Sequence, residues 1–385
     1  MIVADVYRAG VLVGHFSKTP GGATEFDYVG NSPIPVATSL PLDQAPYNNF
    51  GGAIPPFFTN LLPEGRRLSS LKRTVKASLD DELTLLLAVG ADTVGDVAVV
   101  APGQRPRPTP AVIDLDGDLD FSQALADAGI IDPIAVPGVQ DKASARTIAA
   151  PVRGTGTEFI LKVSPPEYPK LVENEAACFG IARAAGFPLA QVQLLTDARG
   201  LPALLISRFD RVGEARLHVE DAAQIMGLYP GEKYDPAMEE VAQALMAVSA
   251  SPLLTARAVA FQAALAWLTG NGDLHAKNIS MVWRDGVAEV APIYDIPSTI
   301  PYGDTTMALS IQGRTDNISG KMFRAFCAEI GLNTRTTDAV MRLALAVTQD
   351  AAERIVAATD FDTRRARDLR RILARRRRLW SPESL

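Results

Sequence analysis

Residues 271–295 read NGDLHAKNISMVWRDGVAEVAPIYD, and this stretch carries the strongest indication of the fold. It lies directly behind the apolar run AVAFQAALAWLTG (258–270), which predicts a buried helix. Asp273 and Asn278 have the D-x-x-x-x-N spacing found in the catalytic loop of protein kinases. In that loop the carboxylate accepts the proton of the attacking hydroxyl and the amide oxygen binds Mg²⁺.

The second half of the stretch predicts a β hairpin that ends at another carboxylate. The pair Asp285-Gly286 is a strong turn signal between two apolar strands, and Asp295 follows the second strand as a further Mg²⁺ ligand. Upstream, Lys162 ends a predicted strand and Glu175 lies on the next helix, the lysine and helix-glutamate pair that positions nucleotide phosphates. The ordered set carries the interpretation, because each element alone occurs often by chance.

Residues 137–142 are predicted to cover the phosphates, although the G-x-G-x-x-G pattern of protein kinases is absent. The segment consists of Pro137, Gly138, Val139, Gln140, Asp141 and Lys142. Its single glycine allows backbone amides to approach a phosphate, and Lys142 adds a point charge. On the second strand of the hairpin that follows this loop, Ile160 and Lys162 share the face opposite Phe159 and Leu161, so the ammonium group points away from those core side chains.

The composition of the 385-residue chain is that of an ordinary globular protein, with 47% apolar and 21% charged residues. The formal net charge of −6 argues against a protein that coats nucleic acid with its whole surface. Cys178 and Cys327 lie in apolar helical patterns, so we expect neither a disulfide framework nor a thiolate metal site. Without a signal peptide or an apolar run of roughly 18 residues, we expect a cytoplasmic protein with no membrane segment.

The pattern along the chain predicts an α+β fold in three parts. Residues 1–101 alternate short strands and helices, as in an N-terminal α/β subdomain, and residues 102–133, with PGQRPRPTP, form a linker. Residues 134–220 form the small β-containing lobe of a kinase-like core with the phosphate loop. Residues 221–385 form its α-helical C-terminal lobe with the catalytic loop.

Several segments together resemble the HipA family of serine/threonine kinases, which are toxins of type II toxin-antitoxin systems. They are IAVPGVQDK, LISRFDR, GNGDLHAKNIS and PIYDIPS, with SLPL, FFTNLLPEG and LLLAVGADTVGDV near the N-terminus. The resemblance implies the same order of subdomain, small lobe and helical lobe, with ATP and Mg²⁺ as cofactors. It also implies a small DNA-binding helix-turn-helix antitoxin as partner, DNA contact mainly through that complex, and an aminoacyl-tRNA synthetase as a phosphorylated target.

By position, the resemblance makes Asp273 the catalytic base and makes Asn278 and Asp295 the metal ligands. It also implies a set of nucleotide-binding residues: the loop 137–142, Lys162, the adenine-facing Ser207, Arg208 and Phe209, and His275, Lys277, Asn278, Tyr294 and Asp295. Two departures from the family pattern stand out. Ala135 replaces a serine that becomes autophosphorylated in well-known members, so we do not expect self-inactivation there, and Ser207 replaces a glutamate found in some members.

Two other functions stay open. The pattern G-D-L-H-x-x-N is also similar to the catalytic loop of aminoglycoside and choline phosphotransferases, although the N-terminal segments speak against a small-molecule kinase. A catalytically silent partner and co-repressor of an antitoxin is the other alternative, which the intact Asp273, Asn278 and Asp295 disfavour. Two interpretations fit the nine arginines of residues 364–380. They contact DNA phosphates, or, as we slightly favour, they form the solvated face of a terminal helix.

Overall fold

A computed structural model gives the structure of this protein. It describes residues 1–380 apart from 31, 79–80, 108–110, 114, 116–118, 128–147 and 155–156. The predicted phosphate loop at 137–142 and Ala135 therefore lie outside the described residues. The α+β class is confirmed, with three parts that pack against one another around a cleft.

The N-terminal module is a five-stranded antiparallel sheet covered by helices, in the order β4-β3-β2-β1-β5. Its elements are β1 Ile2–Arg8, β2 Val11–Lys18, β3 Thr24–Tyr28, β4 Tyr47–Asn49, α1 Pro56–Thr59, α2 Gly65–Val75, α3 Glu82–Val89 and β5 Val97–Val100. Phe58 of α1 packs edge-on against Phe16 and Phe26 of the sheet, with ring centroids 4.8 and 5.0 Å apart. This aromatic cluster fixes the start of the helical layer on the sheet.

The small lobe is a second five-stranded sheet, in the order β6-β7-β8-β10-β9. Its elements are β6 Ala111–Val112, α4 Phe121–Asp127, β7 Ile148–Gly154, β8 Thr157–Val163, α5 Leu171–Ala182, β9 Val192–Thr196 and β10 Pro202–Ser207. Phe159 and Leu161 of β8 are buried against Phe121 of α4. Ile160 and Lys162 line the cleft on the other face, as the alternation along the strand predicts.

The C-terminal lobe is mostly helical and carries one three-stranded sheet, β13-β14-β15. Its elements are β11 Arg211–Val212, β12 Ala215–Arg216, β13 His218–Asp221, α6 Ala222–Ile225, α7 Met238–Val248, α8 Pro252–Thr269, β14 Ser280–Arg284, β15 Val287–Val290, α9 Gly320–Glu329, α10 Thr334–Val347, α11 Ala351–Thr359 and α12 Thr363–Arg378. Helix α8 is buried at the centre of the lobe. Asp285 and Gly286 have φ of 50° and 79°, the left-handed values that a tight hairpin turn requires. Among the described residues no helix is both long and apolar enough to span a membrane.

The arginine-rich helix α12 is held to the lobe by its own side chains. Leu369 and Leu373 are buried, and the buried guanidinium of Arg376 lies 4.0 Å from the centroid of the Trp267 ring. Arg376 also donates hydrogen bonds to the Trp267 and Thr305 carbonyl oxygens, the first at 2.8 Å. Part of the basic run is therefore used in packing, while Arg370 on the outer face pairs with Glu353.

His218 joins the N-terminal module to the C-terminal lobe through two carboxylates. Its Nδ1 lies 2.7 Å from Asp96 Oδ1, and its Nε2 lies 2.8 Å from Glu220 Oε1. Glu220 in turn accepts hydrogen bonds from the backbone N–H and the hydroxyl of Thr38. Burial acts to lower the pKa of His218, but the hydrogen bonds to both carboxylates outweigh it and raise the pKa above its ordinary value of 6.5.

This histidine predicts a pH dependence of stability. A group whose pKa is raised on folding stabilises the protein fully below its unfolded pKa, and this contribution disappears as the pH rises through the folded pKa. We expect His218→Gln to lower the urea midpoint more at pH 6 than at pH 9, measured at constant ionic strength. An equal loss at both pH values would show that the imidazolium does not hold the module in place.

Candidate active site

One cavity of about 410 Å³ lies where the three parts of the protein meet. The small lobe provides its roof, including Ile160 and Lys162, and the C-terminal lobe provides its floor, including Asp273 and Asn278. The N-terminal module provides a third wall, residues 60–64 among others. The predicted site residues that the structure describes all line this cavity except Glu175, which contacts Lys162 from behind.

The ammonium group of Lys162 lies between two carboxylates. Its Nζ is 2.9 and 3.0 Å from the two Glu175 oxygens on α5 and 2.8 Å from Asp295 Oδ1, which follows β15. Burial raises the pKa of Glu175 to about 7, while Lys162 holds the pKa of Asp295 below its usual range despite burial. The ammonium group therefore favours the ionised form of Asp295, whereas burial disfavours that of Glu175.

The predicted catalytic loop, residues 271–278, is fixed by its own polar side chains. The Asp273 N–H donates to Asn271 Oδ1, and Asn278 Nδ2 donates to the Asp273 carbonyl oxygen, both at 2.8 Å. A Cβ at Gly272 would lie 2.5 Å from the Thr306 carbonyl oxygen, so only glycine fits against the backbone at Thr306. Asp273 and Asn278 are thus held side by side, as their spacing in the sequence predicts.

The carboxylate of Asp273 is buried at the cavity floor beside two aromatic groups. The hydroxyl of Tyr234 donates to Asp273 Oδ1 at 3.3 Å, and His275 Nε2 lies 3.9 Å from Asp273 Oδ2. Burial and the nearby Lys233 lower the pKa of His275 to about 3, so the imidazole is neutral near pH 7. Its Nδ1 is buried without a hydrogen-bond partner in the described part of the chain.

Asn278 and Asp295 fit the oxygen chemistry of Mg²⁺. The carbonyl oxygen of Asp273 only accepts hydrogen bonds, so the Asn278 amide must present its NH₂ there and its oxygen on the opposite side. Asp295 has a φ of 53°, a left-handed conformation that Asp tolerates and that sharply reverses the chain at the cavity. Within the described ranges no group of three or more His, Cys, Asp or Glu side chains forms a metal site by itself. Magnesium in nucleotide sites typically uses one or two carboxylates together with substrate phosphates.

The segment predicted to face adenine also connects the small lobe to the N-terminal module. Phe209 stacks on Tyr294 at 5.7 Å, and both rings line the cavity with Ser207. The guanidinium of Arg208 contacts the N-terminal module. It donates to Asp92 Oδ1 at 3.0 Å and to the Thr93 carbonyl oxygen at 2.9 Å. The Arg208 side chain therefore holds the module against this connection.

The N-terminal wall is the part of the site that the sequence did not predict. Glu64 forms an ion pair with Lys277 of the catalytic loop, with 2.7 Å between Glu64 Oε1 and Lys277 Nζ. It forms a second ion pair with Lys233. Lys277 also donates to the Asn60 carbonyl oxygen at 3.2 Å. Despite burial, the two ammonium groups lower the pKa of Glu64 to about 2. The segment FFTNLLPEG contains Asn60 and Glu64, but its letters alone give no indication of a partner so distant in sequence.

Comparisons with known proteins agree with this geometry. The model of the HipA N-terminal domain matches residues 4–100, and that of the HipA-like C-terminal domain matches residues 134–358. A protein of Sinorhizobium fredii named "Putative kinase Y4dM" is 35% identical over 69% of this chain and 67% of its own length. The serine/threonine-protein kinase toxin HipA of Shewanella oneidensis is 28% identical over 86% of this chain and 83% of its own length.

A solved structure has the same fold over almost the whole chain. It is the Shewanella oneidensis HipA in a complex with HipB and operator DNA, with a TM-score of 0.76 and 21% identity. The match covers 97% of each chain. The likeness extends through the N-terminal module as well as both lobes, so the three-part arrangement is that of this fold.

The ion pairs of Glu64 predict a measurable coupling to the catalytic loop. Removing Glu64 leaves Lys233 and Lys277 close together without a counter-charge, and removing Lys277 as well relieves that repulsion. We expect a double-mutant cycle of Glu64→Ala and Lys277→Met to give a coupling of about 0.5–3 kcal/mol in urea unfolding.

The exposed pair of Arg284 and Glu289, 2.7 Å apart, is the matched control. The same cycle there should give close to zero, because exposed ion pairs contribute little. A coupling free energy between Glu64 and Lys277 no larger than that of the control pair would contradict the buried contact.

Proposed function

This chain belongs to the HipA family of kinases, and we propose that it transfers the γ-phosphoryl group of ATP to a serine or threonine hydroxyl of a protein. One observation supports this most: Lys162, Asp273, Asn278 and Asp295, which are far apart in sequence, line a single cavity. Their order along the chain is the one found in protein kinases. The cavity combines a buried proton acceptor, a fixed ammonium and two oxygen ligands, which phosphoryl transfer requires.

In this proposal Asp273 orients the acceptor hydroxyl and takes its proton. The hydrogen bond from Tyr234 restrains one carboxylate oxygen, and the other lies 3.9 Å from His275 Nε2. The neutral imidazole adds no positive charge that would compete for the proton. Catalysis then comes mainly from positioning and from neutralising charge, because phosphoryl transfer needs little covalent chemistry from the protein.

Lys162 is proposed to hold the nucleotide phosphates, with Glu175 fixing its position from behind. Asn278 and Asp295 would hold Mg²⁺, which when bound with ATP neutralises charge on the phosphates. Asp295 is suited to this role because Lys162 keeps it ionised, as the lowered pKa indicates. Phe209 and Tyr294 offer apolar ring surface at the end of the cavity where we place the base.

The finer assignments extend the same proposal. We place the kinase in the cytoplasm, with a small helix-turn-helix antitoxin as partner and DNA contact mainly through that complex. The Shewanella oneidensis relative, solved with HipB and operator DNA, supports this choice of partner. For the phosphorylated protein we propose an aminoacyl-tRNA synthetase, on the family resemblance.

Three functions are separated by one labelling experiment. The protein is incubated with γ-labelled ATP, Mg²⁺, a cell extract, and a panel of aminoglycosides, sugars and choline. We expect label on protein serine or threonine. Label on a small molecule would replace the proposal with the phosphotransferase alternative. No label, with intact folding, would favour the silent co-repressor.

Asp273→Asn and Asp295→Asn should each abolish most of the transfer while the protein stays folded. Both changes keep the shape of the side chain but remove a charge from the reaction centre, and losses of such electrostatic contributions typically cost roughly a hundredfold or more. Asp295→Asn should also weaken Mg-ATP binding, whereas Asp273→Asn should leave it nearly unchanged. Transfer is measured with the labelled extract and binding by calorimetry.

Asp285→Asn is the matched control for both variants. It makes the same chemical change in an exposed turn, where the left-handed backbone also tolerates asparagine. This variant should retain full activity. Near-normal transfer by Asp273→Asn and Asp295→Asn would contradict the assigned roles.

A further inference from the structure

Arg67 of the N-terminal module stands in the wall of the cavity without a counter-ion. It lies in the first turn of α2, lines the cavity and is half-buried. Within the part of the chain that the structure describes, its guanidinium makes no hydrogen bond and no ion pair. Burial lowers the pKa of this group from its usual value. A guanidinium that lines a cavity and has no counter-ion is well placed to bind an anionic ligand there.

The nearest carboxylate cannot fill that role alone. Asp92 attracts Arg67 through space, but it already accepts hydrogen bonds from Arg208 at 3.0 Å and from Arg211 at 2.8 Å. In this part of the structure the described cations outnumber the described carboxylates: Arg67, Arg208, Arg211 and Arg216 against Asp92, Asp210 and Glu158. The surplus positive charge makes this side of the cavity attractive to an anion.

The helix geometry places Arg67 close to the catalytic loop. Glu64 immediately precedes α2, and Arg67 is the third residue of that helix. Glu64 is bonded to Lys277, which is four residues beyond Asp273. Arg67 thus lies three residues after the residue that contacts the catalytic loop, and it lines the same cavity.

We propose that Arg67 binds an anionic oxygen of the nucleotide phosphates, so that the N-terminal module supplies part of the nucleotide site. This inference rests on the proposed function, because it takes a nucleotide as the ligand of the cavity. The planar guanidinium suits two parallel hydrogen bonds to a phosphate group. The module then both fixes the catalytic loop through Glu64 and contacts the nucleotide through Arg67.

Calorimetry with two ligands tests the assignment. The β,γ-imido analogue of ATP, with Mg²⁺, and adenosine are titrated into wild type and the variants Arg67→Met, Arg67→Lys and Arg73→Met. Arg73 is the control, since it lies in the last turn of the same helix and is exposed. We expect Arg67→Met to bind the analogue about tenfold to a hundredfold more weakly, as for the loss of a hydrogen bond to a charged group. Adenosine binding should change less than about twofold, and Arg67→Lys should recover part of the loss.

Thermal unfolding of the ligand-free variants separates binding from folding. A residue that only stabilises the fold would lower the midpoint when replaced, whereas removing a half-buried charge that has no counter-ion should leave the midpoint equal or raise it. Unchanged analogue binding by Arg67→Met, or an equal loss for adenosine, would overturn the inference. Wild type that binds neither ligand would instead refute the proposed function.

Discussion

The ammonium of Lys162, buried between Glu175 and Asp295, is the contact on which the rest of the site depends. It joins a strand of the small lobe, a helix of that lobe, and the chain segment that follows the hairpin of the C-terminal lobe. Breaking a buried ion pair by removing one partner typically costs about 3–5 kcal/mol, because the remaining charge stays buried without compensation. This contact therefore fixes the distance between the two lobes and favours the ionised form of Asp295 at the cavity.

The N-terminal module completes this arrangement from outside the two lobes. It meets the lobe connection through Asp92 and Arg208, the C-terminal lobe through His218, and the catalytic loop through Glu64 and Lys277. These contacts are polar and mostly buried, and each one pairs opposite charges. Together they specify one orientation of the module.

Local patterns were enough to predict part of the site. The spacing of Asp273 and Asn278, the Asp285-Gly286 turn and the outward face of Lys162 all depend on neighbours within a few residues, where backbone geometry is decisive. The role of the N-terminal wall depends on contacts such as that between Asn60 and Lys277, 217 residues apart, and no periodicity encodes such a pairing. The guanidinium of Arg208 shows the same limit, because only the fold reveals that it contacts Asp92 at the junction with the N-terminal module. The roles of residues 137–142 and of Ala135 stay predictions from sequence and family resemblance.

The most direct test of the proposed nucleotide and metal site is diffraction from crystals grown with Mn²⁺ and the β,γ-imido analogue of ATP. Manganese replaces magnesium at oxygen ligands and is located by its anomalous signal. The account predicts a peak bound by the Asn278 amide oxygen and the Asp295 carboxylate, roughly 2.0–2.3 Å from each, with the nucleotide phosphates beside Lys162. Nucleotide or metal bound outside this cavity, in a protein that transfers phosphate, would contradict it.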